Sequence, residues 1–109
     1  MTQPRIHLTE TAVTDMENIV TWYVEQGAPD VGRRLVTEIM QRIETLAAHP
    51  EIGRVVPEFN QPQVRELIHP PFRVVYRYAQ KPSRAEIQVI RIWRSERLLP
   101  VEDAGNNNN

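Results

Sequence analysis

Apolar positions change their spacing along this chain, and the changes divide it into segments. In "RIHLT", Arg5 to Thr9, Ile6 and Leu8 alternate with polar neighbours, which predicts a short first strand at the edge of a sheet. Ala12, Met16, Ile19, Val20 and Tyr23 then recur at helical offsets and predict an amphipathic helix from about Glu10 to Gln26. Thr9 is placed to cap it and Gly27 to stop it, while Thr14 and Glu17 have the spacing for a later start. Pro29 and Asp30 suit the first turn of a second helix, whose stripe is Leu35, Ile39, Ile43 and Leu46. Arg34, Glu38 and Arg42 form four-residue pairs on its outer surface, and Pro50 predicts an end near His49. The short "GAP" connection implies an antiparallel helical hairpin.

The second half reads differently. "HPEIGRVVPEFNQPQ" carries three prolines and a glycine and is predicted to be an irregular connection. "VRELIH", "FRVVYRYA" and "EIQVIRIWR" follow as strands separated by short turns at Pro70-Pro71 and "QKPSR", so they form an antiparallel meander. "SERLLP" has the pattern of one helical turn, and "EDAGNNNN" has nothing to bury. The expected class is α+β, in the order β-α-α-β-β-β. A helical hairpin should cover one face of a mainly antiparallel, four-stranded sheet and leave the other face partly open. Residues 1–100 should form one domain, and 101–109 a disordered tail.

With 109 residues, 40% hydrophobic and 25% charged, the composition is that of an ordinary globular domain. No cysteine is present, so thiolate metal sites and disulfides are excluded; no cofactor is expected. No apolar run approaches the ~20 residues of a membrane span, which points to a cytoplasmic protein without membrane contact. The net charge of −1 hides a segregation: −4 through Ile52, +5 from Gly53 to Arg97, and −2 from Glu102 and Asp103. The sheet half is therefore the basic half.

Arg73, Arg77, Arg91, Arg94 and Arg97 interrupt the last two strands. Their planar donor forks suit carboxylates or phosphates, so they are candidate recognition residues. The alternative is that they are solvated or pair with Glu66, Glu86 and Glu96. Phe72, Tyr76, Tyr78 and Trp93 can stack on bases or simply pack. His7, His49 and His69 have no metal-like spacing, and no glycine-rich phosphate loop or serine nucleophile motif occurs.

From about Arg5 to Arg97 the chain resembles the RelE/ParE superfamily of bacterial toxins from type II toxin–antitoxin modules. The resemblance is carried by "AVTDMENIVTWY", "LAAHPEIGR", the pair "VREL" and "FRVVYR", and "IRIWRSER". It implies one of two activities: mRNA cleavage on the ribosome in the RelE branch, or inhibition of DNA gyrase in the ParE branch. Cleavage through the 2′-OH needs groups that move protons and neutralise phosphorane charge. The superfamily's strand arginine is present as Arg73, but its two lysine positions hold Val64 and Glu66, and its terminal tyrosine position falls near Val101. Arg94 or Arg97 can serve as the second arginine, with Ser95 in the nominal slot. These departures favour the ParE branch. The resemblance then implies no catalytic residues, a ParD-like antitoxin, gyrase as target and an indirect contact with DNA, with Arg65, Arg73, Arg77, Trp93, Arg94 and Arg97 as the binding surface. The nuclease alternative would use Arg65, Arg73, Tyr76 and Arg94.

Overall fold

The computed structural model describes residues 3–94. The turn predicted at "SERLLP", the tail and Arg97 lie outside them. The elements run β1 (Arg5–Leu8), α1 (Glu10–Glu25), α2 (Pro29–Glu44), a 3-10 turn (Thr45–Ala47), β2 (Arg54–Val55), β3 (Val64–His69), β4 (Phe72–Ala79) and β5 (Glu86–Arg94). They build a sheet in the order β1-β5-β4-β3-β2, with β1 parallel to β5 and every other pair antiparallel.

The sheet has five strands where the periodicity predicts four. The additional strand is β2, two residues inside the segment read as irregular, with Arg54 opposite Glu66 and Val55 opposite Arg65. No apolar alternation marks it, because side chains hold it in place: Arg54 Nε donates to Glu66, and Arg65 Nη1 donates to the Gly53 carbonyl at 2.9 Å.

The helices form where the stripes place them. Thr9 Oγ1 accepts from the Ala12 N–H at 3.0 Å and so caps α1, and Gly27 follows its last turn at φ 76°. Pro29 opens α2, as expected, but the α-helix stops at Glu44 and tightens into the 3-10 turn before His49. Gly32 lets the hairpin close, since a Cβ there would come 2.8 Å from the Cβ of Tyr23.

One face of the sheet packs against this hairpin. Ala12, Met16, Ile19, Leu35, Ile39, Ile43 and Leu46 meet Leu67, Phe72, Val74, Tyr76, Ile87, Val89 and Ile92 in the main core. The far face carries a small second cluster of Val56, Val64 and Val75, with Trp93 against it. The segment after β2 thus covers one end of that face. β5 is bordered by two different elements. Its first half pairs with β1 and its second half runs beside α1, where Thr9 Oγ1 donates to the Ile90 carbonyl and Asp15 accepts from the Ile92 N–H at 2.8 Å. Between these halves the register slips by one residue against Val75 and Tyr76. Among the described residues, no helix is long and apolar enough to cross a membrane.

Tyr76 links the sheet to the connection. Its hydroxyl donates to the Pro50 carbonyl at 2.8 Å and accepts from the Gly53 N–H at 3.0 Å. Burial pushes its pKa up, against the opposing pull of the Gly53 hydrogen bond. Neutral phenol is therefore favoured in the folded state, and that advantage is lost as pH rises beyond the ordinary tyrosine value of ~10. Tyr76→Phe should cost about 1–3 kcal/mol at neutral pH by leaving the buried Gly53 N–H and the part-buried Pro50 carbonyl without their shared partner. It should also flatten the alkaline part of the stability profile, measured by urea unfolding across pH. Gly53→Ala should destabilise more specifically. A Cβ there would lie 2.6 Å from the Glu66 carbonyl oxygen and 2.7 Å from the Tyr76 hydroxyl, so β2 must leave β3. Faster amide exchange confined to the β2–β3 pair is the expected readout.

Candidate partner-binding site

The sheet holds its arginines in unequal circumstances. Arg73 projects from β4, an interior strand, and is only 6% exposed. Its Nε donates to Glu66 Oε1 at 2.6 Å, and Nη2 also meets that oxygen. Nη1 and Nη2 face the two carboxylate oxygens of Glu58 at 3.4 and 3.3 Å. Glu66, with a fully buried side chain, takes Arg54 on its second oxygen. Arg54, Glu58, Glu66 and Arg73 are thus a charge-balanced cluster under the segment that follows β2. Burial disfavours the Arg73 charge, but the Glu58 and Glu66 hydrogen bonds outweigh it and hold the guanidinium pKa above its ordinary value.

Arg91 is engaged as well. It donates from Nε and Nη2 to the two oxygens of Asp15 at 2.9 and 3.1 Å, which raises its pKa, and it lies 5.0 Å over the Trp93 ring. Arg65 serves the backbone, donating to Pro62, Glu51 and Gly53 carbonyls. Arg94 stacks over Trp22 at 4.7 Å and over Phe72 at 5.3 Å, on the side of the helices. Arg77 is half-buried on the far face, and its side chain makes no hydrogen bond or ion pair among the described residues.

The nuclease alternative needs Arg65, Arg73, Tyr76 and Arg94 to converge. They do not share a face: Arg73 lies opposite Trp93 on the far side, whereas Tyr76 belongs to the core beneath the helices and Arg94 sits over Phe72. Arg73, Arg77 and Trp93 do share the far face, and Arg77 lines a cavity of about 350 Å³ with His7, Ala79, Lys81, Glu86 and Gln88. Of the alternative ion pairs, Glu66 does hold Arg73, but Glu86 is held by Lys81 and His7 instead. The residues missed were Glu58 and Asp15, acids from a loop and a helix that carry no local signal of pairing with distant strands. His69, read only as lacking metal-like spacing, takes a structural role that joins β3 to α2: Arg42 lies 3.3 Å from Nδ1 and Glu38 3.0 Å from Nε2. The His69 hydrogen bond is the main reason that the Glu38 pKa is lowered.

Several apolar side chains are exposed elsewhere on the surface. Trp22, Val24 and Val13 lie on α1, Ile68 on β3, and Ile52 and Phe59 on the connection. Among the described residues, no group of three or more histidines or acids could hold a metal ion.

Comparison with known proteins agrees with this geometry. The model of the family described as the ParE toxin of the type II toxin–antitoxin system, parDE, matches residues 6–99. The chromosomal ParDE toxin–antitoxin system of P. aeruginosa provides a chain that is 28% identical, with a TM-score of 0.68 over 84% of this chain and 96% of that one. The toxin–antitoxin complex RelBE2 of Mycobacterium tuberculosis provides another, 14% identical with a TM-score of 0.58 over 84% and 98%, which is a likeness of fold. No curated protein matches the chain in sequence. A helical hairpin on a five-stranded mixed sheet, matched by this family over nearly its whole described length, assigns the chain: it belongs to the ParE toxin family of type II toxin–antitoxin systems.

Proposed function

We propose that the protein stops DNA gyrase by direct binding and is silenced by a ParD-like antitoxin. The observation that carries this reading is the occupied state of Arg73. An arginine that stabilises phosphorane charge must offer its donors to substrate. Here Glu58 and Glu66 take them, and the acids also cancel the field that would draw RNA to this part of the sheet. The Tyr76 phenol, the proton-transfer candidate, is fully buried on the opposite face and committed to backbone groups. The likeness to a ParDE chain at 28% identity supports the same branch.

An antitoxin segment that combined apolar anchors with carboxylates would find partners for both. Trp22 and Ile68 offer exposed apolar surface, and Arg77 offers side-chain donors on the far face, which it shares with Trp93. Arg73 contributes from within its ion cluster by fixing the shape of that surface.

Purified protein added to gyrase should block supercoiling or trap cleaved DNA, while a translation extract given the same protein keeps its mRNA intact by primer extension. Codon-phased cuts with fully active gyrase would overturn the reading. A second test separates scaffold from catalyst at Arg73. Glu66→Ala should cost about 3–5 kcal/mol by stranding a buried guanidinium, and the double variant Glu66→Leu with Arg73→Leu should recover most of that loss in urea unfolding. Gyrase inhibition should survive in the folded double variant, whereas a catalytic Arg73 would take toxicity with it.

A further inference from the structure

The far face has a second end, beyond the neutral cluster, where the charge is not balanced. Arg77 on β4, Lys81 in the β4–β5 turn and His7 on β1 converge on the cavity of about 350 Å³, with Gln88 as a further polar wall. Arg5, in register with Glu86, and Arg84, whose Nε donates to the Gln3 carbonyl at 3.0 Å, border the same end. Among the described residues the single acid in the lining is Glu86, and it is already met by Lys81 at 2.9 Å and by His7 at 3.8 Å. The nearby cations hold its pKa down, the Lys81 hydrogen bond first. Arg77 lines this concave site, and its side chain has no protein acceptor among the described residues.

From this geometry we infer that the β1–β5–β4 end of the far face is a phosphate-backbone site, through which the toxin itself grips DNA. Two features select nucleic acid over an acidic peptide. Peptide grooves rely on apolar or aromatic anchors, and among the described residues the only apolar side chain in this lining is Ala79. The exposed aromatic residues Trp22 and Phe59 lie on other elements. A concave surface that carries an excess of cations and lacks large apolar anchors instead suits phosphate contact. Arg77 can take two non-bridging oxygens of one phosphodiester, with Lys81 as a point charge beside it. Contacts of this kind position a duplex without reading its sequence. The inference goes beyond gyrase inhibition and does not rest on it, since free toxin would bind free duplex.

The test is fluorescence anisotropy of a short mixed-sequence DNA duplex titrated with the full-length protein at about 50 and 200 mM salt. Wild type should bind at the lower salt and lose affinity steeply at the higher. The pair Arg77→Glu and Lys81→Glu should weaken binding at least about tenfold and flatten the salt dependence by roughly one power of salt per lost phosphate contact. Arg33→Glu, on the exposed surface of α2, should leave binding unchanged. Arg77→Gln with Lys81→Gln, checked by thermal melting, should show a smaller loss in a fold equal to wild type. DNA binding that is absent in wild type, or equal in the variants, overturns the inference. So does selective loss of binding to a polyglutamate probe with duplex affinity intact, which would make the cavity a peptide site. Supercoiling assays on the same proteins keep the two readings apart: gyrase inhibition can fail while the duplex site stands, and the reverse.

Discussion

A guanidinium withdrawn from water must find carboxylates within reach, and much of this molecule follows from how Arg73 meets that requirement. β4 is flanked by β3 and β5, so Arg73 cannot turn to an open sheet edge. Glu66 reaches it diagonally from β3, and Glu58 comes down from the connection to close the remaining side. Glu66, buried in turn, recruits Arg54, and the two residues around Arg54 become a fifth strand. The prolines of that connection do not prevent its order, because it is fixed by ionic and backbone contacts at its ends and by Val56 packed on Val64 and Val75. Removing one member strands another charge, so the cluster behaves as a unit.

This explains how a chain of slightly negative net charge carries arginines in its sheet without being a uniformly basic surface. Arg73 and Arg91 are spent on internal acids, one holding the far-face cover and the other tying α1 to β5. Arg65 holds the backbone of the connection. The far face is therefore neutral and covered at its β2–β3 end and cationic and open around Arg77. The molecule's one fully buried phenol is a structural strut, and the donors left for outside partners lie at the rim.

The helices and the meander were readable from local pattern because each depends on neighbours a few residues away. The Ala12–Met16–Ile19 stripe, the Thr9 cap and the Gly27 stop are cases in point. β2 was not readable, since two residues have no periodicity and this pair is held by Arg54 and Arg65 side chains. Counting acids near the strand arginines underestimates their partners for a related reason. Asp15 is 76 residues from Arg91 and Glu58 is 15 from Arg73, so only the fold brings them together. Glu66 looked like a misplaced charge where superfamily relatives carry a cation. In the structure it is the counter-ion without which Arg73 could not be buried. The convergence of His7, Arg77 and Lys81 was equally hidden, because it needs β1 to lie beside β5.

That placement of β1 has a consequence for synthesis. The strand that emerges first has β5 as its partner, with Arg5 bonded to Ala85 across eighty positions, and Thr9 likewise waits for Val89 and Ile90. On the ribosome, the helical hairpin can gather early, but its apolar stripe has no complete sheet to cover until the last strand is released. Loop closure over that span is the slow step of such topologies. A nascent or truncated toxin is thus a chain with an open seam, sticky and unassembled, and the active surface comes into being only as translation of β5 finishes.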